Sequence, residues 1–122
     1  MNGPRCLIVD DSAAFRDAAR AMLERGGIEV VGTACDADEA MRQAETLHPD
    51  VALVDVDLGA DSGFDVAEQL VAVPVILTST HDEQDFADLI AASRALGFLP
   101  KLSLSPESVR QLLDRASGSP GT

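Results

Sequence analysis

Three carboxylates stand at the ends of two apolar runs in this chain. Asp10 and Asp11 close Cys6-Leu7-Ile8-Val9, and Asp55 closes Val51-Ala52-Leu53-Val54. Both runs read as short, fully buried strands. Laid parallel and side by side, they bring all three acids to one sheet edge, where open α/β sheets bind ligands. Unit charges ~4 Å apart at an effective dielectric of ~20 repel by about 4 kcal/mol per pair. A hard divalent cation with oxygen ligands relieves that repulsion, and Mg2+ is the natural candidate. The spacing therefore points to an acidic Mg2+ pocket built around Asp55.

The elements that must position these acids alternate along the chain. Strand patterns cover Arg5 to Asp10, Glu29 to Ala34, Val51 to Asp55, Val75 to Ser79 and Gly97 to Pro100. Between them lie helical patterns. The first spans Ser12 to Gly26, with Ser12 as N-cap and a stripe of Phe15, Ala19, Met22 and Leu23. The second spans Asp36 to Leu47, where Asp36 and Glu39 resemble a helix-start box and Ala37, Ala40, Met41, Ala44 and Leu47 face inward. A turn through Gly59-Ala60-Asp61-Ser62-Gly63 leads to a third helix over Phe64 to Val71. The fourth is expected over Asp82 to Leu96, with Phe86, Leu89, Ile90 and Ser93 inward. Ser105-Pro106 opens the fifth, with Val109, Leu112, Leu113 and Ala116 as its stripe. Five βα units imply a parallel sheet with helices on both faces and right-handed crossovers. The expected fold is a flavodoxin-like doubly wound α/β domain, (βα)5, with strand order 2-1-3-4-5. That order sets the first strand beside the third, as the three-aspartate argument requires.

Composition narrows the function. The 122 residues suit one domain, taken as residues 1–116, and Ser117 to Thr122 has the composition of a disordered linker. A net charge of −12 argues against direct nucleic-acid binding and favours partners that present basic residues. The apolar runs are strand-length and the start lacks a signal-like apolar region, so no membrane role is expected. Cys6 and Cys35 read as buried free thiols, which suits a cytoplasmic location. Their separation fits no metal-ligand spacing, and His48 and His81 are isolated.

Four segments in order resemble the receiver domain of bacterial two-component response regulators, over Leu7 to about Leu113. They are Leu-Ile-Val-Asp-Asp-Ser-Ala-Ala-Phe-Arg from Leu7, Val-Ala-Leu-Val-Asp-Val-Asp-Leu-Gly from Val51, Pro-Val-Ile-Leu-Thr-Ser-Thr-His-Asp-Glu from Pro74 and Gly-Phe-Leu-Pro-Lys from Gly97. The opening and the Val-Val-Gly segment are similar to receivers of the NarL/FixJ class. The resemblance implies that Asp55 accepts a phosphoryl group. It makes Asp10, Asp11, Asp55 and the main-chain carbonyl of Asp57 the ligands of Mg2+. Lys101, the chain's single lysine, would meet the phosphoryl oxygens as a point charge. Ser79 would be the hydroxyl contact and Phe98 the aromatic that switches with it. Thr78 and Thr80 flank Ser79 with hydroxyls of their own, and Thr80 stands where the family usually has alanine or glycine.

The implied partners are a sensor histidine kinase or phosphotransfer protein and an output protein the sequence does not name. A phosphorylation-dependent homodimer fits the same reading. No helix-turn-helix sequence follows Leu113, and the linker-like end favours a stand-alone receiver over the front part of a DNA-binding regulator. Two other classes share some residues. Asp55-Val56-Asp57 also matches the start of the haloacid-dehalogenase phosphatase motif, although Gly59 stands where threonine or valine is expected and the motif belongs on a first strand. A phosphorylation-independent pseudo-receiver would keep the fold, and Thr80 and the Asp61-Ser62-Gly63 turn leave room for it.

Overall fold

The computed structural model describes residues 3–117. Its elements run β1 (Arg5–Val9), α1 (Ala13–Arg25), β2 (Glu29–Ala34), α2 (Ala37–Leu47), β3 (Val51–Asp55), β4 (Asp57–Leu58), β5 (Asp61–Ser62), α3 (Gly63–Gln69), β6 (Val75–Ser79), α4 (Ala87–Ala92), β7 (Gly97–Pro100) and α5 (Pro106–Ser117). The main sheet is parallel throughout, in the order β2-β1-β3-β6-β7. Counting only its five strands, this is the expected 2-1-3-4-5.

The strands form because their residues can be buried on both faces. Every residue of β3 and β6 is buried. Alternation splits them between two cores. One, around Leu7, Val54 and Leu77, is covered by α2 and α3. The other, around Ile8, Leu53 and Ile76, is covered by α1 and α5.

Local chemistry starts α1, α2 and α5. Ser12 Oγ accepts from Phe15 N–H at 3.2 Å. Asp36 Oδ1 accepts from Glu39 N–H at 2.9 Å, and Glu39 Oε1 accepts from Cys35 N–H at 2.8 Å. This is the anticipated box, its return bond shifted one residue upstream. Ser105 and Ser108 exchange backbone and hydroxyl bonds at 2.9 and 3.0 Å just before α5. Pro106 is that helix's first residue, where its missing N–H costs nothing. Arg110 of α5 donates to the carbonyl of Gly26, tying the end of α1 to α5.

Several expectations need correction. The expected helix over Asp82 to Leu96 is broken: a 3-10 turn covers Glu83–Phe86 and only Ala87–Ala92 is α-helical. Asp82 makes no side-chain cap bond there. Ser93 ends α4 by donating its hydroxyl to the Ile90 carbonyl at 2.9 Å and accepting from Ala95 N–H at 3.2 Å, the local competition that serine offers a helix. Leu89, expected inward, is 54% exposed. The third helix begins one residue earlier than expected and stops at Gln69. Its preceding turn is an antiparallel ribbon of β4 and β5. Cys6 is buried as anticipated, but Cys35 is exposed, because it follows β2 and precedes the α2 cap. Ser117, assigned by composition to the tail, closes α5. The side chain of Ala116 and residues 118–122 lie outside the described residues.

Candidate functional site

The two acid-bearing strands are neighbours. β1 pairs with β3 from Cys6–Val51 to Val9–Val54, so Asp10 and Asp55 leave the same sheet edge side by side. One carboxylate oxygen from each of Asp10, Asp11 and Asp55 lies within 4.8 Å of the others. Asp10 and Asp55 are buried, whereas Asp11 is exposed at the rim.

Each buried acid is held by the turn that follows it. Asp10 Oδ1 accepts from Ser12 N–H at 2.8 Å, and Asp55 Oδ1 accepts from Asp57 N–H at 3.1 Å. Their remaining oxygens converge on Lys101, which the end of β7 delivers. Its Nζ lies 3.0 Å from Asp55 Oδ2 as a hydrogen bond and 2.7 Å from Asp10 Oδ2 as an ion pair. The Asp10 contact is the shorter of the two, so one ammonium partners an oxygen of each buried acid. Three carboxylates around one point fit a hard divalent cation. Asp57 is exposed at the side chain and its Oδ1 accepts from Gly59 N–H at 3.1 Å, which folds the loop back beside Asp11.

Burial raises the Asp55 carboxyl above its ordinary value, and Asp10 adds to this, against the opposing pull of Asp57 N–H and Lys101. Burial alone would lower Lys101, yet its contacts with Asp10 and Asp55 outweigh it and leave the ammonium raised. The lysine is thus a firmly charged counterion for two close carboxylates.

Ser79 closes β6 at the same edge and is 2% exposed, with its Oγ accepting from His81 N–H at 3.0 Å. Thr78 is the residue in register with Asp55 and is also buried, while Thr80 is exposed. Phe98 on β7 is buried, and Phe86 stands 6.1 Å from it, ring to ring. Phe86 also meets Phe64 at 6.0 Å and His81 at 6.1 Å.

Sequence reasoning missed two residues around the pocket. Gly63 backs onto Asp55: a Cβ there would stand 2.0 Å from the Asp55 carbonyl oxygen, so only glycine lets α3 start this close. Its presence in the Asp61-Ser62-Gly63 turn was the available signal. Phe15 lies under Lys101, with Nζ 4.1 Å from the ring centroid. Its place on the helical stripe hid this second contact.

The sequence model of the response regulator receiver domain matches residues 6–114. This chain belongs to the response regulator receiver family. That settles the fold and sets aside the haloacid-dehalogenase alternative, in agreement with Asp55 standing on the third strand of the sheet. Among solved structures, the receiver domain of the response regulator NarL from Mycobacterium tuberculosis is similar at 33% identity, with a TM-score of 0.81 over 98% of this chain and 100% of that one. A response regulator from Burkholderia pseudomallei, solved with a phosphorylated aspartic acid, calcium ion and citrate, is 25% identical, with a TM-score of 0.78 over 91% of this chain and 66% of that one. A protein-glutamate methylesterase/protein-glutamine glutaminase from Halalkalibacterium halodurans is 34% identical over 89% of this chain and 34% of its own length. The chain spans between 23% and 53% of the length of the first curated relatives it matches. Among the described residues, no helix is long and apolar enough to cross a membrane.

Proposed function

We propose that this receiver domain is a phosphorylation-dependent signalling switch with Asp55 as its phosphoryl acceptor. The observation that carries the reading is the Asp55 carboxylate itself. One oxygen is pinned by Asp57 N–H and the other by Lys101, beside Asp10 and Asp11 at a sheet edge.

In this reading a carboxylate oxygen of Asp55 attacks the phosphorus of a phosphohistidine on a sensor kinase or phosphotransfer protein. A P–O bond forms, the P–N bond breaks, and the imidazole leaves and takes up a proton. Lys101 offsets the charge on the transferred oxygens, and the Ser79 hydroxyl turns to meet them. Asp10, Asp11, Asp55 and the main-chain carbonyl of Asp57 would hold Mg2+. When bound, Mg2+ neutralises phosphoryl charge and relieves repulsion among the acids. The acyl phosphate adds up to about two negative charges at a buried position. Ser79 and Phe98 then shift together, and the surface of α4, β7 and α5 changes its affinity for an output protein or a second copy of the chain. Free thiols at Cys6 and Cys35 suit a cytoplasmic setting for this exchange.

Intact-protein mass after incubation with acetyl phosphate tests the reading. A gain of one phosphoryl group, dependent on Mg2+ and absent in Asp55→Asn, is expected. A chain that gains nothing and shows no spectral response to fluoroberyllate is a pseudo-receiver, and the proposal fails. Ser79→Ala is expected to leave the mass gain but abolish the movement of Phe98 signals. If Thr78→Val does so instead, the switching hydroxyl is one residue earlier.

A further inference from the structure

The first turn of α1 sets an aromatic face against the acidic pocket. Lys101 Nζ lies 4.1 Å from the centroid of the Phe15 ring, well inside the roughly 6 Å over which an ammonium is drawn to an aromatic face. The turn that fixes Asp10 also fixes this ring. Asp10 Oδ1 accepts from Ser12 N–H, Ser12 Oγ accepts from Phe15 N–H, and the Asp10 carbonyl accepts from the Arg16 guanidinium at 2.7 Å. Side chains on a helix lean toward its N-terminus, so Phe15, third residue of α1, leans toward the sheet edge that bears the acids. The Phe15 residue is half-buried, and the Lys101 side chain is 15% exposed.

Lys101 therefore rests among three acceptors, of which two are carboxylates that a divalent cation would also need. The ring has no formal charge and is no ligand for a hard cation, so it is the one acceptor Lys101 does not have to share. An aliphatic side chain of similar bulk would fill the same space without attracting the ammonium.

We propose that Phe15 is a positioning residue for Lys101, its ring a seat that keeps the ammonium in the pocket when a divalent cation takes the Asp10 and Asp55 oxygens. The choice of Mg2+ as probe rests on the phosphoryl-acceptor reading; the ring–ammonium contact does not.

The chain's single lysine makes the test direct. Protein labelled with isotopic lysine shows one side-chain methylene spectrum. In the wild type, ring currents from Phe15 shift the ε-methylene protons of Lys101 upfield. Phe15→Leu returns them to the ordinary lysine position, and Phe15→Tyr retains the shift. A Mg2+ titration followed on the same signal shows weaker binding in Phe15→Leu, by up to about tenfold, because the ring holds the ammonium more strongly once the carboxylates no longer share it. Adding Lys101→Met to Phe15→Leu removes that loss, since no ammonium is left to compete. Unshifted ε-methylene protons in the wild type overturn the proposal, as does unchanged or tighter Mg2+ binding in a folded Phe15→Leu. If Phe15→Leu does not fold, the wild-type shift and its retention in Phe15→Tyr decide the matter alone. A missing phosphoryl adduct at Asp55 leaves the lysine signal untouched, so the two proposals fail separately.

Discussion

The two flanks of the sheet are built to different standards. On the β2 side, α1 and α2 each start from a side-chain cap and bury Ala19, Leu23, Ala40 and Ala44 against the strands. On the β7 side, α4 has six residues, no side-chain cap and no buried residue. What holds that flank is a chain of rings, with Phe86 meeting Phe64, Phe98 and His81. Asp10 and Asp55 stand on central strands of the sheet, while Lys101 and Phe98 come from its edge strand, β7, on the looser side. The difference teaches where a change at the pocket can be expressed. The acids must keep their mutual distances, so they stand on the well-packed strands; the surface that responds is where few contacts have to be broken.

Core truncation gives the widest separation between the flanks. Leu23, fully buried under α1, is expected to lose about 2–5 kcal/mol on Leu23→Ala, against within roughly 0.5 kcal/mol for Leu89→Ala on α4. Urea unfolding of both variants checks this, and equal losses would erase the contrast. Helix capping gives a smaller separation. Asp36→Ala removes the bond to Glu39 N–H and is expected to cost about 1 kcal/mol, whereas Asp82→Ala removes no cap bond and is expected to be near neutral.

An effect of similar size lies within the rigid flank and is read in pH. Burial pushes the Cys6 thiol up from 9.0 to about 12. The native chain therefore keeps a proton that the unfolded chain releases, and stability falls as pH rises from about 9 toward 12. Lys101, also raised, loses its contribution in the same direction at still higher pH. Between pH 8 and pH 10, wild type is expected to lose roughly 1.4 kcal/mol more than Cys6→Ala. Identical losses in urea unfolding would mean that the thiol is better solvated than its position implies. Cys35, exposed and raised by its contact with Glu39, is present in both proteins and drops out of the comparison.

Legibility in the sequence follows the same division. The strands β2, β3, β6 and β7 keep the bounds their sequence patterns imply, because short runs rich in apolar residues mark chain that the sheet buries. The capped helices are legible for a related reason: Ser12 and Asp36 act on groups three residues away. The fourth helix was misjudged because its pattern of Phe86, Leu89 and Ile90 allows a long helix. Phe86 meets rings from α3 and β7, and Ser93 takes over the closing hydrogen bonds. Cys35 continues β2 in sequence and so reads as buried, although the chain has already turned toward α2.

By itself the sequence determined the residue types of the pocket and the order of the strands. Alternating βα units permit few topologies, and those place Asp10, Asp11, Asp55 and Lys101 at one edge. Only the tertiary structure decided the contacts across elements. It showed which oxygens Lys101 reaches, that Gly63 must be small beside Asp55, and that Phe15 lies under the ammonium. The reason is physical: short-range hydrogen bonding and burial patterns are written into neighbouring residues, whereas contacts of a few ångströms between distant ones depend on how helices settle on the sheet.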